Sequence, residues 1–241
     1  MRIAVISDIH GNLEALLRVL EDIEVQDIQK VVCLGDNIGY GPEPNEVVRL
    51  IEEHPIPCVM GNHELGLIQP ECLGWFNRSA KRSLLMTRDM LAGATMDYIR
   101  TLPPFLVELG GFFTHGCPPD RTTTYLFELS DHELGSLFEE IDQSLIFVGH
   151  THDLAAVSFD GHGVRHFGLG KGSAHLKEGH RHIINVGSVG QPRDGNNNAK
   201  YVIWDQKASE IEVRFVPYDI AKTANKILEL GLPKINASRL W

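Results

Sequence analysis

The chain has 241 residues, 43% of them hydrophobic, enough to bury a substantial α/β core. Its formal net charge of −10 at pH 7 argues against broad nucleic-acid binding by a basic face, although bound divalent cations can reverse the field inside a pocket. No apolar run approaches the ~18 residues of a membrane span, no secretory-signal pattern is present, and Cys33, Cys58, Cys72 and Cys117 form no CxxC pair, so the expectation is a cytoplasmic protein with buried, reduced thiols.

Arg2–Ser7 is a short apolar run of the kind that makes a buried strand. Asn12 can cap a helix whose Leu13, Leu16, Leu17, Leu20 and Ile23 form one apolar stripe. Lys30–Leu34 is a second strand. The Gly- and Pro-rich loop 35–44 leads to a helix containing Val47, Val48 and Ile51, and Cys58–Met60 is a third short strand. This alternation predicts a mainly parallel sheet with helices on its faces. Residues 75–102 read as helical with a break near Gly93, part of a helical insertion over about 66–104 that Pro103-Pro104 ends. Strands at Phe105–Leu109 and Phe112–Thr114 follow. Ser130 and Glu133 make a capping box for a helix to about Ile141, and Leu145–Val148 is another strand. The alternation from Ala155 to Val216 is strand-like, and a helix spans about Asp219 to Leu230. No repeat or linker divides the chain, so residues 1–241 read as a single domain.

The informative pattern is where the metal-binding side chains fall. Asp8 and His10 follow the first strand, Asp36 the second, and Asn62 and His63 the third. His115 follows Phe112–Thr114, and His150 and His152 follow Leu145–Val148. Ligands of open parallel sheets bind beyond the carboxyl ends of the strands, so neighbouring strands would bring these donors together. A two-residue step in extended chain would put both members of Asp8-x-His10, and of His150-x-His152, on one side. Gly35, Gly61 and Gly149 precede donors and permit unusual backbone angles or close approach. Carboxylate, imidazole and amide without thiolate suit Mn, Fe, Co, Ni or Zn. Seven donors (Asp8, His10, Asp36, Asn62, His115, His150 and His152) exceed the four of a structural zinc site. With Asp36 bridging, two divalent ions would each receive four ligands and outweigh the two carboxylates, giving a positive pocket fit for phosphate.

Asp8-x-His10, Gly35-Asp36, Gly61-Asn62-His63, His115-Gly116 and Gly149-His150-x-His152, in this order, resemble the motifs of the calcineurin-like metallophosphoesterase superfamily. Asn185–Arg193 resembles a segment of its small bacterial and archaeal phosphodiesterase branch. The resemblance implies a four-layered α-β-β-α sandwich. It implies one metal held by Asp8, His10, Asp36 and His152, and a second by Asp36, Asn62, His115 and His150. His63 would be the outer-sphere catalytic histidine, and a water or hydroxide bridging the metals the nucleophile. Glu64 follows His63 where many relatives carry Asp. The Asp-Arg-Gly of Ser/Thr protein phosphatases is missing after Asp36, and Met60 replaces their Arg before Gly-Asn-His.

Other side chains have blander explanations. His54, His132, His162, His166, His175, His180 and His182 read as ordinary surface or core residues. Arg78, Arg82 and Arg88 read as a solvated helix face, the alternative being that one of them reaches substrate, and Tyr40 as locally packed, the alternative being a stack on a base. Residues 187–193 are a turn that can line the substrate side, with Arg193 the best phosphate contact. The expected activity is hydrolysis of a small phosphodiester or nucleotide-type ester, with Asp36 and His63 catalytic and Asn62 and Arg193 binding substrate. Two rivals are a protein or dinucleoside-polyphosphate phosphatase, and a non-catalytic scaffold on the same fold.

Overall fold

The computed structural model describes residues 1–241. Two mixed sheets lie between layers of helices. The first sheet orders β2 (Lys30–Cys33), β1 (Arg2–Ile6), β10 (Ala199–Asp205), β11 (Glu210–Val216) and β8 (Gly172–His175). The second orders β3 (Phe105–Glu108), β4 (Gly111–Thr114), β5 (Leu145–Val148), β9 (Arg181–Val186), β6 (Leu154–Phe159) and β7 (Val164–Gly168). Only β1–β2, β4–β5 and β5–β9 are parallel. The single, mainly parallel sheet expected from element order is therefore corrected to two mixed ones. Apolar runs such as Arg2–Ile6 fit either arrangement, because in both the strand is buried on two faces.

Alternation along these runs builds the four layers. Ala4, Ile6 and Cys33 face α1 (Leu13–Glu24) and α2 (Pro44–Glu53), which contribute Leu16, Val19, Leu20, Val47 and Ile51. Ile3, Val5, Val32 and Leu34 point the other way, onto Phe113, Phe147, Ile184 and Val186 of the second sheet. The far side of that sheet, with Phe112, Ile146 and Ile183, packs on Leu134, Leu137 and Phe138 of α6 (Asp131–Glu140). Three apolar seams thus hold four layers, the sandwich the resemblance implies. Asn12 caps α1, accepting from the Ala15 N–H at 3.2 Å, and Ser130 and Glu133 cap α6 as expected. In α1, however, Leu17 is 38% exposed and Val19 is the buried member.

Two local expectations change. Cys58–Met60 forms no full strand: one parallel bridge joins Cys58 to Cys33. At Asn62 the chain turns straight into α3 (Asn62–Ile68), which Gly61 precedes instead of a Ser, Thr, Asp or Asn cap. The helical insertion continues through α4 (Arg78–Met90) and α5 (Gly93–Ile99). Beyond the expected α7 (Ile220–Glu229), a short α8 (Lys234–Ser238) follows. Its buried Asn236 donates to the Tyr40 carbonyl and to Ser83 Oγ of α4, each at 2.9 Å. Ala237 and Leu240 bury against α7 and against Met86 and Met90 of α4. The four cysteines are free and buried, and no helix is long and apolar enough to cross a membrane.

Candidate metal centre

All seven expected donors, and His63, are buried. Asp8 and Asp36 leave β1 and β2 of the first sheet, whereas His115, His150 and His152 leave β4 and β5 of the second. They meet across the seam between the two sheets, not along one sheet edge. The two-residue steps work differently from the expectation as well. Asp8, His10, His150 and His152 have φ of 54°, 51°, 68° and 65°, and Asp36 has 53°. These left-handed residues turn the chain so that both members of each pair point inward; extended chain does not do it. Each conformation costs a non-glycine residue roughly 1–2 kcal/mol, and the surrounding hydrogen bonds must hold it.

Three donor groups converge, Asp8–His10–His152, His10–Asp36–His63 and Asp8–Asp36–His115, with ligand atoms in each within 4.8 Å of one another. Asp36 Oδ2 lies 3.6 Å from His10 Nε2 and 3.5 Å from His115 Nε2, so it stands between the groups. His150 sits beside them, its ring 5.0 Å from that of His115.

The protonation pattern calls for a cation. The Nδ1 atoms of His10, His115 and His152 meet the carbonyls of Ile38, Leu34 and Gln191 at 3.0, 2.8 and 2.6 Å. Nδ1 therefore carries the proton in each ring and Nε2 a lone pair. These lone pairs face other acceptors. His10 Nε2 and His152 Nε2 are 3.1 Å apart, His152 Nε2 is 3.1 Å from Asp8 Oδ1, and His115 Nε2 is 3.0 Å from Asn62 Oδ1. No proton is left to satisfy the contacts, and buried Asp8 Oδ1 has no hydrogen-bond donor at all. Burial keeps the imidazoles neutral, pushing His10 down to about 4 and His150 down to about 3. Burial raises the Asp36 carboxyl, and the nearby Glu64 and Asp8 raise it further, a charge excess that divalent ions would relieve. The residues present fit metal. His150 Nε2 meets the Thr123 carbonyl at 3.3 Å, which frees its Nδ1 for the same use.

A second ring of contacts fixes these donors. Asp8 Oδ2 accepts from Ser7 Oγ at 2.6 Å and from the His150 N–H at 3.0 Å, tying the two sheets together. Asn185 Nδ2 donates to the Gly149 carbonyl at 2.8 Å, ordering the turn before His150. Glu64, whose role the sequence left open, accepts from the N–H groups of Asn37, Asp36 and Gly61 at 2.7, 2.9 and 3.0 Å. Burial pushes its carboxyl up, and those three donors pull it back down. Glu64→Ala would leave three buried N–H groups unpaired. In urea unfolding with chelator present it is expected to cost roughly 3 kcal/mol or more. A loss under about 1 kcal/mol would show that these groups find other partners. Gly61 is required here because a Cβ would lie 2.6 Å from Glu64 Oε2.

A cavity of about 580 Å³ opens over the donors. Asp36, Asn62, His63, His150 and His152 form its floor, and Pro192 and Arg193 reach its wall. Residues 187–191 do not line it; they brace the ligand loops, with Ser188 Oγ donating to the Asp8 carbonyl at 2.8 Å. Beyond Arg193 the loop is pinned from beneath by Lys200, which is fully buried. Its Nζ donates to the carbonyls of Asn196 and Asn198 at 2.5 and 3.1 Å and pairs with Asp194 at 2.8 Å. Tyr40 is packed locally, its ring 4.6 and 4.7 Å from those of His10 and His63. Arg78, Arg82 and Arg88 stay on a solvated face outside the cavity, and none of the seven other histidines enters the donor groups. Sequence reasoning missed Trp75, Tyr125, Arg239 and Trp241 on the cavity. Tyr125 stacks on His150 at 4.1 Å between centroids. A tryptophan just before the Asn77 helix cap was the one available signal.

The chain is 41% identical over 99% of its length to 97% of an uncharacterized protein of Methanocaldococcus jannaschii. A metallophosphoesterase of Sphaerobacter thermophilus superposes with a TM-score of 0.83 at 33% identity, covering 100% of this chain and 98% of the other. A hypothetical protein of Pyrococcus horikoshii superposes at 0.80 with 20% identity, over 100% and 97% of the two chains, and so shares the fold. Residues 1–167 match the family model described as calcineurin-like phosphoesterase, and with donors of that family's types gathered in one buried centre, the chain belongs to the calcineurin-like phosphoesterases.

Proposed function

We propose that this protein hydrolyses a small phosphodiester or nucleotide-type ester using two divalent ions held on either side of Asp36. Membership of a metal-dependent phosphoesterase family gives the reaction class. The ion count is read from one observation: Asp36 Oδ2 lies 3.6 Å from His10 Nε2 and 3.5 Å from His115 Nε2, one imidazole of each proposed ligand set. Asp8, His10, Asp36 and His152 would hold one ion, and Asp36, Asn62, His115 and His150 the other. When bound, such ions polarise phosphoryl oxygens and bring the pKa of a water toward ~7. Mn, Fe, Co, Ni and Zn all suit the donor set. The whole chain acts as one domain in this reading, in the cytoplasm, on a small ester and not on a nucleic-acid polymer.

The chain's own residues do the rest. Asn62 and Arg193 orient the phosphate. His63, with Nδ1 buried and unpartnered and Nε2 3.9 Å from Asp36 Oδ2, faces the cavity and, as a neutral ring, stabilises the charge developing on the leaving oxygen by hydrogen bonding. A monoester carries nearly two negative charges, and enzymes that favour it add arginine forks. Gly39–Gly41 and Met60 occupy the two positions where protein phosphatases place arginines. A Cβ on Gly39 would lie 2.8 Å from His63 Cε1, so that loop has no room for a larger residue. A diester has one charge, and Arg193 with the ions can balance it. Under one metal, kcat/KM for an aryl phosphodiester should exceed that for the monoester with the same leaving group, with poor turnover of phosphoserine or phosphothreonine peptides. A monoester preference of tenfold or more would promote the phosphatase reading instead.

A further inference from the structure

The outer half of the cavity is built from segments remote from the donor motifs. Trp75 and Asn77 come from the turn before α4, Asn196 and Asn197 from the loop pinned by Lys200, and Arg239 and Trp241 from the segment after α8. Both tryptophans are open to solvent, Trp75 at 64% and Trp241 at 70%, whereas the third, Trp204, is buried between the sheets. Two large aromatic faces on the wall of one cavity offer a ligand the flat apolar contact that aromatic side chains supply. They are not loose. Trp241 follows Leu240, which is buried with α7, and α8 is locked to the Tyr40 loop and to α4 through Asn236. Trp75 follows the short helical turn 70–74 and precedes Asn77, whose Oδ1 caps α4 by accepting from the Ala80 N–H at 3.0 Å.

Two of the amide side chains on this wall have their oxygens engaged within the protein. Asn77 Oδ1 is used in the cap, and Asn196 Oδ1 accepts from the Asn198 N–H at 2.9 Å. Each side-chain NH2 is left to donate outward. Such amides pair with the ring nitrogens and carbonyl oxygens on the edge of a nucleobase. Arg239 adds a positive group for a ribose hydroxyl or second phosphate.

We infer that the outer half of the cavity is a base-binding subsite, in which Trp75 and Trp241 stack a nucleobase whose phosphate lies over the donor cluster. The substrate class is then a nucleoside phosphate ester. This rests on the reading of the donor cluster as a phosphate centre. Stacking on an exposed aromatic is worth about a tenfold change in affinity per contact or more.

The test is calorimetric binding of AMP and of ribose 5-phosphate, which lacks the base, to the metal-loaded protein. AMP should bind at least tenfold more tightly. Trp75→Ala and Trp241→Ala should each lower AMP affinity about tenfold and leave ribose 5-phosphate affinity within twofold, and Trp241→Phe should restore most of the loss. Equal affinity for the two ligands, or alanine variants that bind AMP like the wild type, would overturn the subsite. Hydrolysis of an aryl diester is assayed separately. Base-dependent binding without hydrolysis would leave the subsite standing and remove the reaction; hydrolysis without base preference would do the reverse.

Discussion

Asp36→Asn is expected to weaken both metal positions together and to cut turnover by roughly 10³-fold, the scale of losing a preorganised electrostatic group. Asp36 Oδ1 already accepts from the His63 N–H at 2.8 Å, which an amide oxygen can still do. The fold around the residue should therefore survive. What the amide cannot supply is a charged oxygen lying 3.5 and 3.6 Å from His115 and His10, between the two donor groups. Asp8→Asn should affect mainly the ion shared with His10 and His152. Elemental analysis and metal titration of wild type and both variants decide the matter. A metal-replete wild type that holds one tight ion, unchanged by Asp36→Asn, would defeat the dinuclear assignment. Chelation of the wild type should reproduce the Asp36→Asn phenotype, and added metal should reverse it.

His63→Ala is the complementary case, with catalysis lost and metal kept. Burial holds the His63 imidazole well below its usual range, and the histidines around it push it the same way. It enters the cavity as a neutral ring. Its N–H and side chain point to different partners: the backbone binds Asp36 Oδ1, while the ring packs against Tyr40 and, at 5.1 Å, against Phe76. If the ring acts on the substrate, the variant should retain both ions and turn over about 10²-fold more slowly or worse. The donor group His10–Asp36–His63 makes direct ligation the competing outcome. Loss of an ion on removing His63, or turnover near that of the wild type, would refute the outer-sphere role.

The donors were legible because each follows closely on a short apolar run, and Gly35, Gly61 and Gly149 mark the ends of three of these runs. Such motifs are read within a few residues, and the structure brings Asp8, His10, Asp36, His115 and His152 into converging groups, with Asn62 and His150 beside His115. Their mode of convergence was not legible. A two-residue spacing suggests extended chain, whereas Asp8, His10, His150 and His152 reach the centre through left-handed backbone that long-range contacts impose, among them the His150 N–H on Asp8. The start of α3 was hidden for a related reason. Gly61 offers no capping side chain, and the cap comes from Glu64, three residues into the helix. The membership of β8 was hidden too: it lies between β7 and β9 in sequence but pairs with β11 in the other sheet. The outer cavity was least legible of all. Trp75, Asn197 and Trp241 share no motif, and only the packing of α8 against α4 brings the last of them near.

The antiparallel pairing of Arg2 with Asp205 separates partners by about two hundred positions. During synthesis β1 can meet β2 early, whereas its other neighbour, β10, is made near the end. Pairings of such range form slowly, and a metal centre that draws on both sheets would be complete only once they dock. That order bears on which element is loaded. A floppy nascent histidine segment would follow intrinsic affinity and favour copper over the other divalent ions of the first transition row. A site that exists only once both sheets have docked can discriminate by ligand number and shape instead.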